Sequence, residues 1–194
     1  MSKLGIIIPT HLEWNILRLK IQNSKHDYRV SGMGKVNACI ATTQLIIAGA
    51  ESILLYGFAG GLRNLKRGET IEATDCIEGD YHAEELNEPY PNGITLRHTL
   101  NIFRRCQIVS QDHFLTLDEY RECNPPLANT LATDMEAYAV AKVCRELNVP
   151  FYAIKVISDI VGENTANDFF KPSDELVSTL TQSLEKTLSC LASQ

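Results

Sequence analysis

The stretch ATDMEAYAVAKVCRELNVPFYAIKVISD, residues 132 to 159, joins a helical apolar stripe to a largely apolar strand and places acids at both ends. Val140, Val143, Cys144 and Leu147 recur at i, i+3, i+4 and i+7, and Glu136 lies four residues ahead of Val140 on the same stripe. This spacing predicts a helix whose inward face carries Glu136. Phe151 to Ile157 is apolar and β-rich, which predicts a strand covered on both faces that delivers Ser158 and Asp159 at its C-terminal end. A helix feeding a buried strand points to an α/β fold, and open α/β sheets take ligands at that strand end.

Each acid has two readings from spacing alone. Thr133-x-x-Glu136 matches a capping box, in which the Glu satisfies an orphan backbone N–H at a helix start. Asp159 could likewise cap whatever follows the strand. The other reading makes both of them members of a site, because an acid in apolar company is costly.

Outward from this stretch, Leu4 to Pro9 reads as a strand and Leu12 to Ile21 as a helix, which puts Glu13 at a strand-to-helix junction. Ser31-Gly-Met-Gly34 is a turn, Val36 to Ala48 a helix stopped by Gly49, and Ser52 to Tyr56 a strand that runs into Gly57-Phe-Ala-Gly60-Gly61. This is a βαβ-like order of elements. The glycine cluster fits neither a dinucleotide fingerprint nor a P-loop, so it either presents N–H donors to a ligand or makes a tight turn. Strands are expected at Glu69 to Ile77, Ile94 to Leu100 and Arg105 to Ser110, with an irregular acidic loop, Gly79 to Gly93, carrying Tyr81 and His82. An amphipathic helix follows Pro172, starting at Ser173 and running through Leu176, Leu180, Leu184 and Leu188.

With 194 residues and 44% hydrophobic content, the chain can bury one substantial core, and a single domain over 1–194 is expected. A net charge of −6 disfavours a nucleic-acid partner. No basic-then-apolar leader and no membrane-length apolar run is read, so a soluble, cytoplasmic protein is expected. The six cysteines are scattered and expected to be reduced, and the five histidines lack ligand spacing; neither a metal nor a cofactor is expected.

Taken together, SGMGK (31–35), GFAGGL (57–62), SQDHFL (110–115), DMEAYAVAKVC (134–144) and VPFYAIKVISD (149–159) resemble the nucleoside phosphorylase and nucleosidase superfamily over nearly the whole chain. Within it, the bacterial methylthioadenosine/S-adenosylhomocysteine nucleosidases are most similar. The resemblance implies a three-layer α/β/α sandwich around a mixed, partly barrel-like central sheet. It also implies hydrolysis of the N-ribosidic bond of a purine nucleoside with a 5′-substituted, adenosine-like structure. Such a reaction passes through an oxocarbenium-like sugar, so a site must protonate the leaving base, hold the ribose and orient a water.

By the resemblance, Asp159 is the general acid facing N7 of the purine, Glu136 with Met135 clamps the ribose hydroxyls, and Glu13 activates the attacking water. A donor at neutral pH requires Asp159 to titrate high, which burial favours. Ser158 would orient Asp159, Phe114 would stack on the base, the Leu115 backbone would hydrogen-bond it, and Phe169 would face the 5′ side. Phe58, Ala59, Gly60 and Lys155 complete the implied substrate-binding set. Relatives are commonly homodimers, with the helix from Val36 a plausible contributor to the contact.

Three features differ from the family pattern. Phe58 stands where a small hydroxyl residue is usual and is expected to fill space otherwise open to water or ribose. Lys155 replaces an Arg, keeping the charge but not the planar fork, so Glu13 is expected to be held less tightly. The segment between the acidic loop and SQDHFL is shortened, so the pocket wall must be built differently. Phosphorolysis is the enzymatic alternative, but Leu55 and Phe58 stand where the phosphorylases carry an Arg and a Ser for the anion. The third reading is a nucleoside-binding protein of the same fold without turnover.

Overall fold

Strand β3 (Ser52–Gly61) is the spine of the molecule: nine of its ten residues are buried, and it pairs with three other strands. The computed structural model describes residues 3–62, 64–81, 93–116, 118–119, 132–162, 169 and 171–193. Around β3 lie β1 (Leu4–Ile8), β2 (Asp27–Val30), β4 (Thr70–Glu78), β5 (Ile94–Thr95), β6 (Arg104–Ser110), β7 (Ala132–Asp134) and β8 (Phe151–Ile160). The helices are α1 (His11–Gln22), α2 (Lys35–Ile47), α3 (Ala137–Glu146) and α4 (Asp174–Ala192).

The first half of β3 lies between parallel neighbours β1 and β8; its last two residues pair antiparallel with β7. β8 also pairs antiparallel with β4, β4 pairs parallel with β6, and β6 pairs parallel with β7. The strands β3, β8, β4, β6 and β7 therefore close on themselves, which removes their exposed edges. β1 and β2 extend the sheet from one side of this ring, and β5 from another.

Two helical layers cover the sheet. On one side α2 and α3 pack through small residues, Ala38, Ala137 and Ala141, around Leu45 and Val140. On the other, Leu17 and Ile21 of α1 meet Leu176, Leu180 and Leu184 of α4 over Ile6, Leu54 and Tyr56. Each such leucine contributes roughly 1.5–3 kcal/mol by leaving water. The Tyr56 hydroxyl donates to Leu180 C=O at 2.6 Å, tying α4 to β3. α4 is capped by Ser173, whose hydroxyl accepts from Leu176 N–H at 3.3 Å, and Asp174 and Glu175 in its first turn complement the helix dipole.

The expected α/β/α layers and mixed, barrel-like sheet are present. Several boundaries differ. Gly57 to Gly61 is neither a turn nor a loop but the second half of β3, which pairs with β8 through Gly61. Ile94 to Leu100 shrinks to the two residues of β5. The half-buried edge strand β2 and the three-residue β7 lack any apolar run long enough to announce them. Most of the Gly79 to Gly93 loop, with His82, lies outside the described residues.

Candidate active site

One cleft of about 540 Å³, counted to its open mouth, is lined by the last residues of β3, β7 and β8 and by the segments that follow β6 and β7. Glu13, Glu136 and Asp159 all line it, although they are far apart in the chain. So do Met135, Phe114, Leu115, Ser158, Phe58, Ala59, Gly60 and Phe169. Lys155 does not reach the cleft; it is fully buried on β8.

Glu13 is the third residue of α1, and its carboxylate closes a capping box. Its Oε2 accepts from Thr10 N–H at 2.8 Å and from Thr10 Oγ1 at 2.6 Å, while Glu13 N–H donates back to Thr10 Oγ1 at 3.2 Å. Oε1 accepts from Phe58 N–H at 2.6 Å. Three of its about four lone-pair sites are therefore occupied, and one remains for a water. The contact with β3 explains Gly57: a Cβ there would overlap Glu13 Oε1 and lie 2.9 Å from its carboxyl carbon. The expectation that Glu13 depends on Lys155 is corrected, since no ion pair joins the two within 4 Å and Thr10 and Phe58 hold the carboxylate instead.

Glu136 immediately precedes α3 and makes no side-chain cap, so the capping-box reading of Thr133-x-x-Glu136 is also corrected. Asp134 does that work, accepting from Ala137 N–H at 3.2 and 3.0 Å. The Glu136 carboxylate is left to turn toward the cleft, where its Oε1 accepts from Gly34 N–H at 2.9 Å. Beneath them, Lys155 Nζ lies 3.0 Å from Asp134 Oδ2 and 3.8 Å from Glu136 Oε2. Burial disfavours the Lys155 charge, yet Asp134, Glu136 and Glu13 outweigh it and raise its pKa. Ser110 Oγ donates to Asp134 Oδ1 at 2.5 Å and fixes the other side of that carboxylate.

Asp159 owes its position to a bulge. The β3–β8 register advances from Ala59↔Ile157 to Gly60↔Asp159, so Ser158 is the extra residue, and Asp159 is turned toward β3. The Ser158 hydroxyl donates to Asp159 Oδ1 at 2.5 Å. A Cβ on Gly60 would lie 2.9 Å from Thr133 Cγ2 and 3.3 Å from Asp159 Oδ2, so glycine keeps this corner open.

The apolar wall is aromatic. Phe58 is buried within the cluster of Ile6, Leu54 and Tyr56, and its ring meets Phe169 edge-on at 6.1 Å. Phe114 also meets Phe169 edge-on, at 6.0 Å. Phe58 thus forms part of a wall, and the cleft remains open beside it. Among the described residues no Lys or Arg lines the cleft, and no group of three or more His, Cys, Asp or Glu is arranged to hold a metal. Thr10, Gly34, Ser110 and Asp134 were not picked out as site residues in the sequence. Thr10-x-x-Glu13 was the available signal, because it repeats the spacing of Thr133-x-x-Glu136.

A closed mixed sheet between two helical layers, with an acid-lined cleft at its strand ends, defines a phosphorylase-like protein. The sequence pattern of the Phosphorylase superfamily matches residues 8–103 and 82–191, and the chain belongs to that superfamily. It is 29% identical to a 5′-methylthioadenosine/S-adenosylhomocysteine nucleosidase of Staphylococcus epidermidis over 89% of this chain and 90% of that protein. It is 28% identical to the nucleosidase of the same name from Bacillus cytotoxicus, over 81% and 78%. Its fold matches a Helicobacter pylori nucleosidase variant crystallised with 5′-methylthioadenosine in the active site, at TM-score 0.86, 21% identity and full coverage of both chains. The futalosine hydrolase of Helicobacter pylori matches at TM-score 0.85 and 21% identity, covering 100% of this chain and 98% of that one.

Proposed function

We propose that the protein hydrolyses the N-ribosidic bond of a 5′-substituted adenosine, such as methylthioadenosine or S-adenosylhomocysteine, and releases the free base. The observation that carries this reading is the meeting of Glu13, Glu136 and Asp159 in one cleft walled by Phe58, Phe114 and Phe169. The names of the relatives support the same substrate class.

In this reading Asp159 gives its proton to N7 of the purine as the C1′–N9 bond breaks, and its orientation comes from Ser158. Glu136, beside Met135, accepts hydrogen bonds from the ribose hydroxyls. A water held by the remaining lone pair of Glu13 loses a proton to that carboxylate and adds to C1′, yielding the free sugar and a neutral base that keeps the hydrogen on N7; the cycle closes when Glu13 releases its proton to solvent and Asp159 regains one. Phe114 supplies a face for the base, the Leu115 backbone its hydrogen bonds, and Phe169 the 5′ wall. Ala59 and Gly60 bring the β3 backbone close to the substrate, and Lys155 balances the acids from below. Water is favoured over phosphate because a cleft whose described lining residues include no Lys or Arg offers little to a multiply charged anion.

The test is a panel of purine nucleosides, including methylthioadenosine, S-adenosylhomocysteine and futalosine, incubated with and without phosphate and assayed for free base. Release in phosphate-free buffer is expected, and a strict need for phosphate would overturn the hydrolase reading. Nucleosides that raise the melting temperature without losing their base would favour the binding-protein alternative.

Gly57→Ala should lower kcat by about 10²-fold in steady-state assays, because the added methyl pushes Glu13 off the Phe58 N–H and misplaces the water. A variant with parental kcat would remove Glu13 from the water-activating role.

The pH dependence follows from burial. Desolvation lifts both Glu13 and Glu136 above the ordinary glutamate value of 4.5, Glu136 to about 7, against the opposing pull of Lys155 and of their hydrogen-bond donors. Glu13 must be ionised to take a proton, so the acidic limb of kcat/KM should lie above pH 4.5. Stability runs the other way. The folded chain binds these protons more tightly than the unfolded one, so the contribution is present below pH 4.5 and lost as pH rises through the folded values. Glu136→Gln should therefore flatten the fall in Tm between 4.5 and about 7, and a parental slope in that variant would contradict the shift.

The proposal includes a homodimer in a reducing, cytoplasmic setting. Val36, Ile40 and Ile47 share one exposed face of α2, at 70%, 53% and 80% exposure, and the face continues through Met33 to the cleft mouth. A second copy covering it would bury that patch and help to close the site. Light scattering should give twice the 21.6 kDa chain mass, and a monomer at all concentrations would contradict the dimer. Cys39, Cys76, Cys106, Cys144 and Cys190 are free thiols, in keeping with that compartment.

A further inference from the structure

The start of α2 is held by two carboxylates that come from elsewhere in the chain. Gly34 N–H donates to Glu136 Oε1 at 2.9 Å, and the next amide, Lys35 N–H, donates to Asp112 Oδ1 at 2.7 Å. Gly34 has φ +98° and makes no side-chain cap of its own, so the path of this turn depends on outside partners. Asp112 is itself anchored, because its N–H donates to Asp80 Oδ2 at 2.9 Å. The Lys35 ammonium closes the clasp by pairing with Asp80 and with Glu78 Oε1, the latter at 2.8 Å. Ends of β4 and β6 are thereby fastened to the start of α2, one residue from the amide that meets Glu136. A Cβ on Gly34 would lie 3.0 Å from Asp112 Oδ1, so the two parts of the clasp are in close contact.

We propose that Asp112 is a positioning residue: by gripping Lys35 N–H it fixes the turn whose adjacent Gly34 N–H orients the Glu136 carboxylate toward the ribose. The inference rests on the ribose-clamping reading of Glu136. A carboxylate held at Oε1 by Gly34 N–H presents Oε2, 3.8 Å from Lys155 Nζ, in a defined direction, whereas a frayed helix start would let Glu136 swing or close further onto Lys155. The loss should therefore fall on ribose binding and spare the chemistry at N7 and C1′.

The experiment compares Asp112→Ala with Asp112→Asn, which keeps an acceptor for Lys35 N–H, in the full chain. In ligand-free protein, Asp112→Ala should lower hydrogen-exchange protection of the Gly34 amide by about tenfold relative to Leu54 in β3, and Asp112→Asn should restore most of it. With methylthioadenosine, Asp112→Ala should raise KM by about tenfold with kcat within about threefold of the parent. With the 2′-deoxy analogue the KM penalty should shrink below about threefold, because a merely structural defect would burden both substrates alike. Unchanged Gly34 protection, or an equal penalty on both substrates, would overturn the proposal. If Asp112→Ala does not fold, Asp80→Ala, which removes the anchor behind Asp112, should give the same pattern, and parental behaviour there would overturn it equally. Should the parent cleave no nucleoside, the functional reading fails on its own, while the amide measurement still decides whether the clasp controls Gly34.

Discussion

Asp159→Asn should slow release of free base by about 10²–10⁴-fold while leaving nucleoside affinity within about fivefold of the parent. The substitution is close to isosteric. Asparagine keeps an oxygen to accept from the Ser158 hydroxyl, now 2.5 Å from Oδ1, and the β-bulge that aims residue 159 is a property of the backbone. What disappears is the transferable proton: an amide can hydrogen-bond N7 but cannot give it a proton as the glycosidic bond breaks. Single-turnover base release, with calorimetric binding measured in parallel, separates the two effects. Turnover at the parental rate would exclude Asp159 as the acid, and loss of binding together with rate would make it a structural residue of the pocket.

Lys155→Met should destabilise the fold by about 3–5 kcal/mol, seen as a drop in Tm of roughly 6–20 °C for a chain of this size. Lys155 has no exposed surface, and its ammonium is the cation between Asp134 and Glu136. Methionine fills much of the same volume, so the cost is one of charge: two buried carboxylates lose their counter-ion. Combining Lys155→Met with Asp134→Asn should recover part of the loss, because one of the stranded charges is then removed. Urea unfolding of the two single variants and the double variant measures the coupling. A loss under about 1 kcal/mol for Lys155→Met would show that the ion pair contributes little.

The parts of the fold legible in the sequence are those set by local periodicity. α1, α2 and α4 have apolar stripes, and two of them have clear ends: Gly49 after α2 at φ +93° and Ser173 before α4. β8 was legible because Phe151 to Ile157 is apolar apart from Lys155. Closure of the ring was not, since it depends on β4 meeting β8 antiparallel at Thr70↔Val156 and on the three residues of β7. Nothing local encodes either contact. Gly57 and Gly60 resemble loop residues for the same reason: their strand conformation is ordinary, and the need for glycine comes from Glu13 and Asp159 approaching the backbone from other elements.

The site shows the same division. Two T-x-x-E boxes with one spacing have different fates, and the cause is tertiary. Glu13 finds Thr10 and, across the fold, Phe58 N–H, whereas Glu136 is released from capping because Asp134 takes Ala137 N–H and Gly34 offers a distant donor. The family resemblance assigned roles to the acids and gave Ser158 as the partner of Asp159, but the partners that hold Glu13 and Glu136 could be read only from the fold. Phe58 is the instructive case. Its size was legible, but whether its ring enters the cleft or joins the Tyr56 cluster depends on packing from α1 and α4.

The most direct test of the whole account is a crystal structure of the protein soaked with adenine. The base should seat against Phe114 with N7 within hydrogen-bond distance of Asp159, leaving a sugar-sized space between its N9 and the Glu13 and Glu136 carboxylates. Adenine bound elsewhere, or seated with the Phe58 ring filling that space, would contradict the claim that these three acids act on one ribosylated purine.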